Sequence, residues 1–427
     1  MKTFLYILFV VLYPVVLLAQ PGYIEVTAPG NHQLKLAVDS PRSPDLSGNP
    51  ETAKLISDVI AFDMNMSGVV TAEGRSLFPA AGNLSLVDVD FVPWLSAGLD
   101  LLVRSEYSLK NERLTVEFRL FDVVNRKMIT SKRYLGTAKD LRRFSHSFAD
   151  EILRIITGEK GTFTTRIAYV SNQTGNKEIY VMDWDGYNPL PLTKNGSINL
   201  NPDFSPDGRE ILFTSYKRGN PDLYRRSLSS TAEVAISNRK GLNITGNWSP
   251  DGSKIALSLS KDGDAEIYTL DKNGDNPVRL TIDPALDLYP SWSPDGKQLA
   301  FISDRLGKPQ IFVMNADGGN VRRLTISGNY NVNPRWSPKG DRIVYSRMTE
   351  GGNFNIFTVA PDGSSDNQLT TDGNNENPSW SADARFICFS SKRKSGNGLF
   401  VMRADGSGQT KVTQREVTYS QPVWSAY

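Results

Sequence analysis

An aromatic residue returns every 44 positions along the last two thirds of the chain, at Phe204, Trp248, Trp292, Trp336, Trp380 and Trp424. Few folds accept such a period, because a unit of about 40 to 45 residues is the size of four short strands and their turns, one propeller blade. The signals inside each unit agree, and they are clearest over residues 289–325. An inner strand at 289–293 runs into Ser293-Pro294-Asp295-Gly296, where Pro suits the second position of a type I turn and Gly the fourth. Strand two follows at 297–303, strand three at 310–315, a hairpin turn at Asp317-Gly318 and strand four at 321–325. Residues 166–171, 178–183 and 189–193 match strands two, three and four with no inner strand before them, and the missing one stands at 419–425. A six-bladed β-propeller is therefore expected, its first blade built from both ends, which hides an edge that would otherwise invite pairing with other chains.

The copies differ in places. Lys339 replaces the turn aspartate in Ser337-Pro338-Lys339-Gly340, and Ser381-Ala382-Asp383-Ala384 lacks both Pro and Gly, which predicts a less rigid turn in the sixth blade. Ser229-Ser230 stands where the other blades have their second Asp-Gly, and the fifth blade carries one extra residue before Asp362-Gly363.

Ahead of the repeats, residues 1–19 read as a secretory signal peptide, with Lys2, an apolar run over 4–18 and a small residue at Ala19, the competing reading being a retained N-terminal anchor whose helix Pro14 would kink. Residues 20–158 contain no copy of the repeat and read as an α/β domain. Helices are expected over 47–67 and 91–97, an antiparallel meander over 100–107, 113–121 and 127–134, and a last helix opened by a Thr137/Asp140 capping box and ended by Gly158. A linker at 159–164 leads into the propeller at 165–427.

Composition excludes several classes of function. The 48 Lys and Arg against 46 Asp and Glu give no support to nucleic acid as a partner. Cys388 stands alone, so no disulfide forms within the chain, and as a residue of strand two in the sixth blade it reads as a small buried hydrophobe. With only His32 and His146, a histidine-rich metal site is excluded, and both read as surface or cap histidines, His146 on the polar side of the last helix. No Gly-x-Ser-x-Gly elbow is present, and the Asp-Gly stretches sit where turns require them, so no catalysis, metal or cofactor is expected.

The more informative residues precede each inner strand. Five positions before the repeat aromatic stand Asn199, Asn243, Asp287, Asn331, Asn375 and Tyr419, and three positions before it Asn201, Thr245, Tyr289, Asn333, Asn377 and Gln421. Two polar rings around one mouth of the channel are predicted, although asparagines there also suit side-chain bonds to loop backbone. Lys217, Lys261, Arg305 and Arg393, each thirteen positions after the aromatic, fall in loops on the same face. They pair locally or, if free, steer an acidic protein.

The leader, the α/β domain and the Pro-x-Trp-Ser-Pro-Asp-Gly repeats together resemble the TolB family of Tol-Pal system proteins. The resemblance is carried also by Val116-Glu117-Phe118-Arg119-Leu120-Phe121-Asp122, Phe148-Ala149-Asp150-Glu151-Ile152 and Thr164-Thr165-Arg166-Ile167-Ala168. It implies a monomeric periplasmic scaffold, not an enzyme, that links Pal at the outer membrane to the inner-membrane protein TolA and supports outer-membrane integrity and invagination at division. The family's contacts to Pal map onto positions three to six before the aromatic, including Leu200, Asn201, Ile244, Thr245, Leu288 and Tyr289, and the arm that engages TolA onto residues 20–32. The alternative is an exported propeller that binds a glycan or serves a hydrolase as accessory domain.

Overall fold

The structure, a computed structural model, describes residues 33–43, 50–74, 86 and 88–427. The expected leader, the 20–32 arm, His32 and the start of the first helix lie outside these residues.

The N-terminal domain is a five-stranded mixed sheet with helices on both faces. Its strands are β1 (Leu34–Val38), β2 (Val70–Ala72), β3 (Leu101–Lys110), β4 (Arg113–Asp122) and β5 (Lys127–Gly136), in the order β2-β1-β3-β4-β5. The last three form the expected antiparallel meander, while β1 pairs in parallel with both β2 and β3. Alternate residues serve opposite faces. Leu36 and Val38 of β1 and Phe118 and Leu120 of β4 pack under α1 (Pro50–Ser67) and α3 (Leu141–Thr157), while Ala37, Leu102 and Phe121 join Trp94 of α2 (Val92–Ser96) beneath the sheet. Thr137 and Asp140 make the capping box, and Gly158, at φ 76°, closes α3 by donating its N–H to Arg154 O.

Six four-stranded sheets form the propeller. Blade 1 joins β6 (Arg166–Ser171), β7 (Glu178–Asp183) and β8 (Leu190–Pro191) to the C-terminal strand Tyr419–Trp424, so both ends of the repeat region close the ring. The repeat aromatics are buried and bridge neighbouring blades, Trp292 packing on Ala256 and Ile267 of blade 3 and on Leu299 and Phe301 of its own blade 4.

The Ser-Pro-Asp-Gly turns hold themselves shut. In blade 4 Ser293 Oγ donates to Asp295 Oδ1 at 2.7 Å and accepts from Gln298 N at 2.9 Å. The divergent turn of blade 6 keeps the same bonds, Ser381 Oγ to Asp383 Oδ1 at 2.6 Å and Phe386 N to Ser381 Oγ at 2.9 Å. Losing Pro and Gly therefore leaves the geometry intact, and the cost moves to Ala384, held at φ 60° where an L side chain is strained.

The second Asp-Gly is less a hairpin device than an inter-blade one. A Cβ on Gly274 would lie 2.0 Å from Ile236 O, the preceding blade's backbone, at φ +94°. Gly186, Gly318 and Gly406 face the preceding blade's Val412, Leu280 and Leu369 carbonyls in the same way. Gly274→Ala is expected to destabilise by about 2–3 kcal/mol, from overpacking and backbone strain together. Chemical denaturation measures it, and Gly307→Ala, at φ +91° but in open space, isolates the strain alone.

The two domains share one hydrophobic core. Trp184, in the turn after β7, is fully buried between Phe62 of α1 at 5.3 Å, Phe163 at 5.1 Å, Phe386 of blade 6 at 5.7 Å and Trp424 at 6.2 Å. Around this core, Arg403 donates to Met66 O at 3.1 Å and Asn65 O at 2.8 Å at the end of α1. Glu159 binds Lys339 at 3.2 Å and Arg385 at 2.7 Å, tying the chain after α3 to the turns of blades 5 and 6. These propeller groups lie in the strand one to two and three to four turns, as Trp184, Lys339 and Arg385 do, or at the strand ends on that side, as Phe386, Arg403 and Trp424 do. The N-terminal domain thus docks on the turn face, opposite the loops that join strand four to strand one.

Candidate functional site at the channel mouth

Each inner strand carries a two-residue bulge, visible as a register shift such as that between Leu288 and Ser291. The first bulged residue is the one three positions before the aromatic. All six, Asn201, Thr245, Tyr289, Asn333, Asn377 and Gln421, adopt φ between 50° and 57°. Asparagine tolerates the left-handed region, but for Thr245, Tyr289 and Gln421 it is strained. The bulge turns these residues toward the axis, where they line one small cavity with Pro202, Pro290, Pro334, Pro378 and Pro422. This predicted ring exists, and Tyr289 in it is half-buried, its hydroxyl pushed upward in pKa by burial.

The other predicted ring is not at the mouth. Asn199, Asn243, Asp287, Asn331 and Asn375 are fully buried and Tyr419 is 9% exposed. They fasten inner strands to the blade before: Asn199 Nδ2 donates to Glu178 Oε2 at 2.8 Å, Asn331 Nδ2 to Gln310 Oε1 at 2.8 Å and Asn375 Nδ2 to Asn355 Oδ1 at 3.0 Å. Asp287, whose carboxyl is pushed up by burial, is held by Arg305 at 2.8 Å. A buried polar group must be bonded, and the alternation of the strand sends this position inward.

The four cations are also paired. Lys217 binds Glu233 and lies 3.7 Å from the Tyr224 ring centre, and Lys261 binds Asp262. Arg305 holds Asp287, and Arg393 lies 4.2 Å over Phe400 with Gln409 as acceptor at 2.5 Å. None is a free steering charge: Glu233, Asp262 and Asp287 neutralise three of them at offsets that differ from blade to blade, and Asp372 lies 3.9 Å from Arg393. Leu200, Ile244 and Leu288 are half-buried beside the ring.

Two features went unread in the sequence. The first is the ring one position before the aromatic, which stitches blade to blade. Asn247 Oδ1 accepts from Trp292 N at 3.0 Å, Ser291 Oγ from Trp336 N at 3.2 Å, Ser379 Oγ from Trp424 N at 3.1 Å and Asp203 Oδ2 from Trp248 N at 3.1 Å. In blade 5 this position is Arg335, which reaches across the axis to Asp203 of blade 2 at 2.8 Å. Burial raises the Asp203 pKa, and Arg335 opposes that shift. The second is an apolar arc on the mouth face. Ile282 is 81% exposed, Ile326 78% and Leu306 60%, with Leu286 and Tyr330 beside them. Aligning the loops on Thr193, Ser237, Thr281, Thr325, Thr370 and Thr413 would have found it, since the next residue is apolar only at Ile282 and Ile326. The mouth therefore offers a strained polar ring over a charged pair, flanked on blades 3 and 4 by exposed aliphatic side chains.

Comparison with known proteins gives concordant results. The family described as "TolB beta propeller domain" matches residues 153–427, and the "TolB amino-terminal domain" matches residues 22–129. The protein named Tol-Pal system protein TolB of Geobacter metallireducens is 54% identical over 200 residues, 47% of each chain. Its counterpart in Geobacter sulfurreducens is 50% identical over 209 residues, 49% of this chain and 48% of that one. These matches span about half the length of the relatives. The crystal structure of TolB from Acinetobacter baumannii superposes with a TM-score of 0.82 at 25% identity, covering 93% of this chain and 97% of that one.

Proposed function

The chain belongs to the TolB family, and from that membership we propose that it is a periplasmic, non-catalytic binding component of a Tol-Pal system. In this reading the channel mouth receives a Pal-like lipoprotein, the segment 20–32 engages a TolA-like inner-membrane protein, and the monomer links the outer membrane to the inner one during division. The observation that carries the reading is the mouth itself: a ring of six left-handed residues beside exposed Ile282, Ile326 and Leu306, on the face that the described residues of the N-terminal domain leave uncovered. Exposed aliphatic groups around a polar centre suit a protein partner, because apolar patches rimmed by polar residues mark such surfaces.

Calorimetry with the periplasmic domain of the cognate Pal-like protein tests it. Tyr289→Ala and Ile326→Ser are each expected to weaken binding by more than about 1 kcal/mol, as interface anchors do. Ile326 is exposed, so its loss should leave stability alone. Tight binding that neither substitution changes would move the site elsewhere, and absence of any binding would remove this partner.

A further inference from the structure

His146 is the one histidine of the described residues, and its place contradicts the surface position expected for it. It lies on α3, 3% exposed, between carboxylates of two domains. Its Nδ1 is 2.7 Å from Asp63 Oδ2 of α1, and its Nε2, without hydrogen-bond geometry to any described residue, is 3.3 Å from Asp185 Oδ2 in the turn after β7 of blade 1, a charge contact. Asp63 is fully buried and its Oδ1 has no hydrogen-bond partner among the described residues, so His146 is the only side chain holding it. Asp185 accepts from a second group of α3, Arg142, whose guanidinium also stacks 3.5 Å over Tyr187. The imidazole is packed against Trp184, the aromatic anchor between the domains, and Asp150 of α3 is the remaining charged group near Asp63. Two cations and two carboxylates thus meet in a buried seam that only a protonated imidazole balances.

We propose that His146 is a protonation-controlled latch: charged, it holds the Asp63 of its own domain and the Asp185 of the propeller together, and on losing its proton it releases the N-terminal domain from the turn face. This proposal is independent of which partner binds the mouth. The sign follows from the groups around the ring. Although burial disfavours the charged imidazole, Asp63 and Asp185 raise it to about 10 from its ordinary 6.5, and burial raises Asp63 to about 7. Asp185 is the partner that docking brings to the ring, so docking is linked to the imidazole proton: it is strongest at or below the ordinary 6.5 and weakens as pH rises towards about 10. Asp185, held below its ordinary value by His146 and Arg142 against burial, stays ionised throughout that window. Deprotonation leaves Asp63 and Asp185 facing each other across the domain boundary with Arg142 alone, and buried like charges repel.

The chain has two histidines, His32 and His146, so imidazole resonances can be followed without crowding. His146 is expected to titrate well above 6.5, and in Asp185→Asn to titrate lower than in the wild type. Docking itself is read from the distance between spin labels at Glu51→Cys and Lys272→Cys, since Cys388 is buried and leaves the native thiol silent. A longer-distance population should grow between pH 7 and pH 10 in the wild-type background. It should be independent of pH in Asp63→Asn/His146→Gln, where an uncharged amide pair replaces the ionic one. A His146 that titrates at or below 6.5, a wild-type distance that ignores pH, or an equal pH response in the double variant each overturns the latch. If the double variant does not fold, the wild-type titration and distance series decide the matter between them.

Discussion

A chain that stops before Tyr419 is expected to lose its single cooperative unfolding transition and to aggregate on size-exclusion chromatography. The missing strand Tyr419–Trp424 pairs with β6 from Tyr419↔Ser171 to Trp424↔Ile167, and β6 is buried at every position but its first. Without it, six hydrogen-bonding residues in the middle of the molecule become an open edge, a template for pairing with a second chain. Tyr419, Val423 and Trp424 also leave the core, each burial being worth about 1.5–3 kcal/mol. The Trp424 Nε1 donation to Thr165 Oγ1 at 2.7 Å and the inter-blade bond from Trp424 N to Ser379 Oγ go with them. The combined loss exceeds about 5 kcal/mol, the lower end of what a whole protein has in reserve. Calorimetry that found one unchanged transition in the truncated chain would mean that five blades and a three-stranded sixth stand alone.

The second large effect is expected at the floor of the channel. Asp203→Ala should destabilise by about 3–5 kcal/mol, because it strands a charge and two donors at once. Arg335 loses its partner, Asn247 Nδ2 loses acceptors at 3.1 and 3.2 Å, and Trp248 N loses the bond that joins blade 3 to blade 2. Asp203→Asn, which keeps an oxygen for Trp248, should cost less. The double variant Asp203→Ala/Arg335→Met removes both charges and should recover part of the loss, since breaking a buried pair costs more than replacing it. Denaturant midpoints of the wild type, Asp203→Ala, Arg335→Met and the double variant measure the coupling directly. If Asp203→Ala and Arg335→Met simply add, the two residues do not interact.

The fold was legible because its signal is periodic. A constant step between aromatics revealed blade number, strand order and closure without any single residue being understood. The site was legible only where the same ruler measured a backbone event. Position three before the aromatic is a bulge in every blade, so it reaches the axis in every blade. The ring two residues earlier obeys the same period and yet is buried, because a period gives place along a strand and not depth beneath the surface. The cations looked free because their partners, Glu233, Asp262 and Asp287, stand at three different offsets and share no pattern. Arg335 could not be found by repetition at all, since it is the copy that departs from its ring, and its partner sits three blades away. His146 was misplaced for a related reason. The apolar face of α3 was read against its own sheet, whereas docking on the propeller buries a second face that holds polar residues. Strands β1 and β2 were missed because they are short and pair only in parallel, with no hairpin to announce them.

The first blade, drawn from both ends of the repeat region, also sets the timing of folding. The bond between Trp424 and Thr165 joins residues 259 apart in sequence. Closing so long a loop costs little more free energy than closing one half its length, so the penalty falls on rate rather than on stability. The platform for the N-terminal domain is completed by Phe386 and Trp424, which are synthesised long after α3. The N-terminal domain must therefore wait for the strand Tyr419–Trp424 before it can dock fully, and a nascent chain spends that interval with Trp184 incompletely covered. The arrangement makes docking a readout of completeness: an interrupted chain leaves its N-terminal domain undocked and its apolar turn face open to whatever handles unfinished proteins.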